Sequence, residues 1–271
     1  MNKEDDIRLD QKVRAAWMYY IAGLNQSEIA SQLGTSRPVV QRLIAAKDEG
    51  IVSIGLHHPV ANCLDYAQLL KEKYQLTDCN IMPVYSIEST LDSVTFGCYQ
   101  LMARYLQGDK PTIVGIGSGL TLKKTIKRID FDSQNTRCVA LISAMNEHGQ
   151  CNYYDDVPLL LARKIQGKYY QWPAPRYAQS REEYQMWSTN RLFRNVSTVA
   201  RDSDVIFVGI GALGRQSPIF KDGFIDEQQL EELTARGGVG EILGRFIDAE
   251  GNVVESQINQ MITSHDIRES N

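Results

Sequence analysis

Two short apolar stripes separated by a glycine dominate the pattern near the N-terminus. Ile29, Ala30 and Leu33 recur at helical spacing, and beyond Gly34 so do Val39, Val40, Leu43 and Ile44. Asn25 is a good N-cap for the first stripe, with Glu28 three residues on to complete a capping box. Gly34 suits the left-handed backbone of a tight turn. Ser36 is placed to cap the second helix, and Pro38 falls in its first turn, where no N–H is needed. Upstream, Val13, Ala16, Trp17, Tyr20, Ile21 and Leu24 predict a helix over about 9–22 packed on the pair, with Trp17 and Tyr20 in its core. Downstream, Val52, Ile54 and Leu56 alternate, which predicts a short strand over 51–56 and hence a wing, with His57 and His58 as exposed loop residues beside it.

From Asn80 onward, short apolar runs alternate with longer amphipathic ones. Strands are predicted at 81–84, 112–116, 138–142 and 204–208. Val94, Cys98, Leu101, Met102 and Tyr105 mark one helix, another starts at Leu120, and a third spans 190–200. Continuous apolar strands alternating with helices imply a parallel sheet covered on both faces. The fold class is therefore α/β: an N-terminal winged helix-turn-helix head plus a parallel-sheet, Rossmann-like domain. The expected divisions are a head over 1–58, a linker helix over 59–78 marked by Cys63, Ala67, Leu70 and Tyr74, and an effector domain over 79–271.

Charge sharpens the reading of the head. The chain has 271 residues and a formal net charge of −4, which argues against nucleic-acid binding over its whole surface. Between Arg8 and Lys47, however, six basic residues face two acidic ones. Ser36, Arg37, Gln41 and Arg42 are the candidate DNA-binding residues, because a polar, cationic face over an apolar one suits a helix in the major groove. Arg and Gln are the side chains that read guanine and adenine edges. The competing reading is a plain structural hairpin.

The five cysteines are scattered with no CxxC spacing, so no metal site and no cofactor is expected. The N-terminus does not read as a signal peptide and no apolar run reaches the roughly 20 residues of a membrane span, so a cytoplasmic protein without membrane contact is expected.

Two glycine-rich stretches follow predicted strands. In Gly115-Ile116-Gly117-Ser118-Gly119-Leu120-Thr121 the glycines allow backbone N–H groups to approach an anion, and a helix N-terminus follows. A ligand-free strand-to-helix turn is the alternative. Gly209-Ile210-Gly211-Ala212-Leu213-Gly214 matches G-x-G-x-x-G, but Arg215-Gln216-Ser217-Pro218 interrupts before any helix, so it reads as a second lip of one pocket rather than a dinucleotide site. Gly240-Glu241 is expected where another parallel strand ends, with Glu241 either accepting hydrogen bonds from sugar hydroxyls or sitting solvated at a helix start.

The order of these motifs, with Trp172-Pro173-Ala174-Pro175 and the run from Gly238 to Asp248, resembles the SorC/DeoR-type sugar-responsive bacterial transcriptional regulators. The resemblance covers nearly the whole chain. It implies a DNA-binding head joined to an effector domain related to sugar-phosphate isomerases, double-stranded operator DNA and a phosphorylated sugar or polyol as partners, and a homodimer or homotetramer. Carried over by motif, Gly117, Ser118, Gly119 and Thr121 match the phosphate-contacting loop, while Glu241 and Leu243 match positions that help select the sugar. The family usually has a Gly-Gly pair where this chain has Ser143-Ala144-Met145. It also continues past the segment 252–262 with a strand, a helix and a phosphate-binding lysine, so the effector domain is expected to be truncated, ending in a polar tail over 264–271. No enzyme is expected, since no carboxylate–histidine set clusters near the glycine loops. The rivals are a sugar-phosphate isomerase-like enzyme and a constitutive DNA-binding oligomer.

Overall fold

The structure, a computed structural model, describes residues 3–45, 58–146, 148–151 and 157–270. The chain forms two compact units, Met1–Ala61 and Asn62–Asn271.

Among the described residues, the first unit is built on α1 (Lys3–Tyr20), α2 (Gln26–Gln32) and α3 (Arg37–Ile44). The Asn25 side chain accepts from the Ser27 and Glu28 backbone N–H groups, and Glu28 accepts from the Asn25 N–H at 2.8 Å, so the predicted capping box is complete. Gly34 has φ +61° between α2 and α3. Ser36 occupies the N-cap position of α3 but its side chain makes no capping bond. Ala15, Ile29, Ala30, Val40, Leu43 and Ile44 form the core, with Met18, Tyr20 and Leu24 half-buried against it. The expected face of α1 is only partly right. Val13, Trp17 and Ile21 are exposed, Trp17 at 57%. Ala16 is buried as expected, but its inward neighbour is Ala15, because small residues let the helices approach closely. The predicted strand at 51–56 and its wing, with Lys47 and His57, lie outside the described residues. His58 is exposed.

The second unit is built on a four-stranded parallel sheet. α4 (Pro59–Tyr74) precedes α5 (Thr90–Leu106), β1 (Thr112–Ile116), α6 (Leu120–Lys127), β2 (Thr136–Ala140), α7 (Val157–Lys164) and β3 (Lys168–Tyr170). Then come α8 (Arg181–Thr189), α9 (Arg191–Arg201) and β4 (Val205–Phe207). The strand order is β3-β2-β1-β4, and every neighbouring pair is parallel. Val114, Ile116 and Cys138 pack on α5, α6 and α7 on one face. Ile113 and Val139 pack with Val196 and Ala200 of α9 on the other. No helix among the described residues is long and apolar enough to cross a membrane.

Three expectations need correction. Residues 81–84 are not a strand: Pro83 has no N–H to give a ladder, and the segment docks on α5, where Met82 lies over the bare backbone of Gly97. Asn80 Nδ2 fixes it by donating to Gly97 O at 3.0 Å. β2 ends at Ala140, although Leu141 N still donates to Ile116 O and both Leu141 and Ile142 are buried.

The third correction concerns the C-terminal third. β4 gives way at Val208-Gly209 to β5 (Ile210–Ala212), which leaves the parallel sheet. After α10 (Pro218–Lys221) and α11 (Glu227–Ala235), β6 (Gly240–Ile242) and β7 (Arg245–Ile247) pair antiparallel in the order β5-β6-β7. Gly240-Glu241 therefore lies inside an antiparallel strand, not at the end of a parallel one. α12 (Gln257–Gln260) follows, and the chain then passes along buried Thr263, Ser264 and His265 into a 3₁₀ turn over Ile267–Glu269. The start of the expected polar tail is thus packed: His265 N donates to Leu141 O at 2.8 Å.

Candidate functional site

Two regions carry the predicted residues. On the head, Ser36, Arg37, Gln41 and Arg42 are all exposed, while Val40, Leu43 and Ile44 of the same helix are buried. Arg37 Nε donates to Gln26 Oε1 at 3.2 Å, so α2 orients the first side chain of α3. The face is polar and cationic over an apolar floor, as a major-groove helix requires.

The second region is a cavity of about 520 Å³, within the usual size of a small-molecule site. It sits where the strand order reverses, since β1 has β2 on one side and β4 on the other. Open α/β sheets bind ligands at that crevice, outside the carboxyl ends of their strands. Ser118 and Gly119 line it from the loop after β1, Thr121 from the first turn of α6, and Gly211 and Glu241 from the β5–β6 pair. Gly119 stands at the N-cap of α6 with φ +116°, a conformation close to glycine-only.

The other three predicted residues stand behind this surface. Gly117 is buried and its N–H donates to Phe207 O at 2.9 Å, tying the end of β1 to β4. Leu243 is not on the pocket wall: it is buried, with its Cδ2 3.1 Å from where a Gly117 Cβ would stand. A Cβ on Gly240 would come within 2.7 Å of Gly211 O, so that glycine serves close strand approach.

Glu241 is held by the turn that follows it. Leu243 and Gly244 have φ +52° and +80°, the positive values that a two-residue hairpin between Ile242 and Arg245 demands. Glu241 Oε2 accepts from Gly244 N–H at 2.6 Å, Tyr177 OH donates to Gly244 O at 2.6 Å, and Ser264 Oγ donates to Leu243 O at 2.7 Å. Burial pushes the Tyr177 phenol up, which keeps it a donor. Opposite Glu241 in the ladder is Gly211, whose missing side chain makes room for the carboxylate.

Sequence reasoning missed Arg176, Ser217, Lys221 and Asp222, which also line the cavity. Arg176 directly follows the Trp-Pro-Ala-Pro stretch, where two prolines and a small residue mark a constrained backbone; that was the signal available. A second cavity of about 350 Å³ has Asp226 and Glu232 among its lining residues and no Lys or Arg, so it does not suit an anion.

The family model "Sugar-bind", described as "Putative sugar-binding domain", matches residues 58–270. The chain belongs to this family. The chain is 28% identical over 249 residues to the erythritol catabolism regulatory protein EryD of Brucella abortus, covering 91% of this chain and 78% of EryD. It is 29% identical over 254 residues to the transcriptional regulator LsrR of Escherichia coli K12, covering 90% of this chain and 76% of LsrR. The full-length sorbitol operon regulator SorC from Klebsiella pneumoniae shares the fold, with a TM-score of 0.68 at 23% identity over 98% of this chain and 85% of SorC. A DeoR family transcriptional regulator from Listeria monocytogenes also does, with a TM-score of 0.68 at 21% identity over 77% of this chain and 82% of that one. The SorC/DeoR resemblance drawn from the order of motifs is met by these relatives.

Proposed function

We propose that this protein is a DNA-binding transcriptional regulator of a carbohydrate or polyol catabolic operon, controlled by a phosphorylated sugar or polyol. The observation that carries the reading is the switch-point cavity. One wall is the Ser118-Gly119 loop at the N-terminus of α6, suited to a phosphate; another presents Glu241, an acceptor for hydroxyl groups. The names of EryD and SorC tie those two proteins to erythritol and sorbitol, which favours polyols as the first compounds to test. The protein acts as a homodimer or homotetramer, because one helix-turn-helix buries too little surface for specific binding and paired heads match a repeated operator. Catalysis is the weaker reading, since the cavity lining holds two carboxylates and no histidine for proton transfer.

The test is a thermal-shift screen followed by calorimetry with matched pairs: erythritol and its 4-phosphate, sorbitol and its 6-phosphate. Tighter binding of a phosphorylated member supports the reading. Equal binding of both members of every pair refutes the phosphate loop.

A further inference from the structure

We infer that Arg176 is the residue that selects a charged effector, its guanidinium holding the phosphate group inside the switch-point cavity. The inference rests on the phosphorylated-polyol reading and adds to it the side chain that distinguishes a polyol phosphate from the free polyol.

Arg176 is 5% exposed, yet it lines a cavity open to small molecules. Its pose is fixed from several sides. Nε and Nη2 donate to Ser143 O at 3.2 and 3.1 Å, and the guanidinium carbon lies 3.5 Å from the centroid of the Phe224 ring. Its own backbone is pinned as well: Arg176 N donates to Met145 O at 3.0 Å, and Thr263 N donates to Arg176 O at 3.1 Å. A long side chain has therefore already lost its rotamer freedom, and a ligand meeting it pays little further ordering entropy.

The chemistry of the head group then names the ligand class. A planar guanidinium matches the oxygens of a phosphate or carboxylate two at a time, which a neutral hydroxyl cannot return. Ser118 and Gly119 line the same cavity and offer a hydroxyl and a backbone N–H, both of which suit an anion. Glu241 and Asp222 also line the cavity and accept from hydroxyls, so it suits a molecule that carries hydroxyl groups as well as a phosphate. Lys221 also lines it, but that side chain is exposed at the end of α10 and adds attraction without fixed geometry.

Calorimetry on the full chain tests this with the polyol and polyol phosphate pairs named above. Arg176→Gln should weaken binding of the phosphate member at least tenfold and leave the free polyol within about twofold of wild type. Arg176→Lys, which keeps the charge without the fork, should fall between them. If Arg176→Gln binds the polyol phosphate normally while Gly119→Val loses it, the phosphate loop stands and the role of Arg176 is overturned. If Arg176→Gln loses both members equally, Arg176 is only structural and the inference fails. A wild type that does not prefer the phosphate member overturns both. Should Arg176→Gln not fold, as judged by near-UV circular dichroism, Arg176→Lys decides alone: an unchanged preference for the phosphate member contradicts the assignment, and a reduced one with the free polyol unaffected supports it.

Discussion

Gly211→Ala isolates the contact that positions the Glu241 carboxylate. A Cβ added at Gly211 would overlap Glu241 Oε1 and stand 3.0 and 3.1 Å from its Cδ and Cγ. Gly211 does not have a positive φ, so the backbone accepts alanine and the whole cost falls on the carboxylate. Swinging Glu241 aside breaks its 2.6 Å bond from the Gly244 N–H, a charge-assisted bond worth about 1.5–3 kcal/mol. Alanine also restricts the unfolded chain, which returns about 0.4–1 kcal/mol. The net loss is then about 0.5–2.5 kcal/mol, or roughly 1–10 °C in melting temperature for a unit of this size. Thermal unfolding by circular dichroism measures it, with Glu241→Ala as the second background. In that background the obstruction is gone, so Gly211→Ala should be neutral or slightly stabilising. An equal loss in both backgrounds would show that Gly211 is constrained by something other than Glu241.

Three further outcomes follow from the geometry. Arg37→Ala should cost about 1–3 kcal/mol on a preferred duplex and little on random DNA, read by fluorescence anisotropy; equal losses on both would remove it from base recognition. A Cβ added at Gly119 would meet nothing within 4 Å, so the cost of Gly119→Val, about 1–3 kcal/mol, is chiefly backbone strain; calorimetry should show polyol phosphate binding lost and free polyol binding kept. Burial holds the His265 imidazole below its ordinary value despite the carboxylates of Glu269 and Asp266 nearby. The neutral ring is the form the fold prefers, so its contribution is complete above the unfolded value near 6.5 and is lost as pH falls toward the depressed one. Melting temperatures at pH 7.5 and 5 should differ more in wild type than in His265→Asn, and an equal difference would count against this linkage.

The head was legible because its signals are local. Asn25, Glu28, Gly34 and Pro38 each act within one helical turn, and the structure uses all four where the pattern placed them. The inner face of α1 was not, since helical periodicity offers both the Val13–Trp17–Ile21 stripe and the Ala15–Ala16 face. Close helix crossing, which sequence does not display, chose the small residues. β1, β2 and β4 of the parallel sheet stood out as apolar runs, whereas β3 did not, being three residues long with an exposed lysine at its start; residues 81–84 were equally apolar but were claimed by packing on Gly97. The antiparallel hairpin was hidden by its brevity: three-residue strands carry almost no periodic signal, and Leu243 is an unusual residue for a turn that needs positive φ. For Arg176 the Trp-Pro-Ala-Pro stretch marked only a constrained backbone, and it is the tertiary fold that brings the side chain into the same cavity as Ser118 and Glu241.

The central claim is that occupancy of the switch-point cavity alters DNA binding. Its most direct test is the affinity of the full chain for a duplex selected from a random pool, measured by fluorescence anisotropy with and without a polyol phosphate. The polyol phosphate is used at a concentration that calorimetry shows to be saturating. Coupling between two sites of a regulator commonly amounts to about 5–150-fold, so the account predicts a change of at least fivefold, with the free polyol at the same concentration giving little. An affinity unchanged to within twofold under saturation would contradict it.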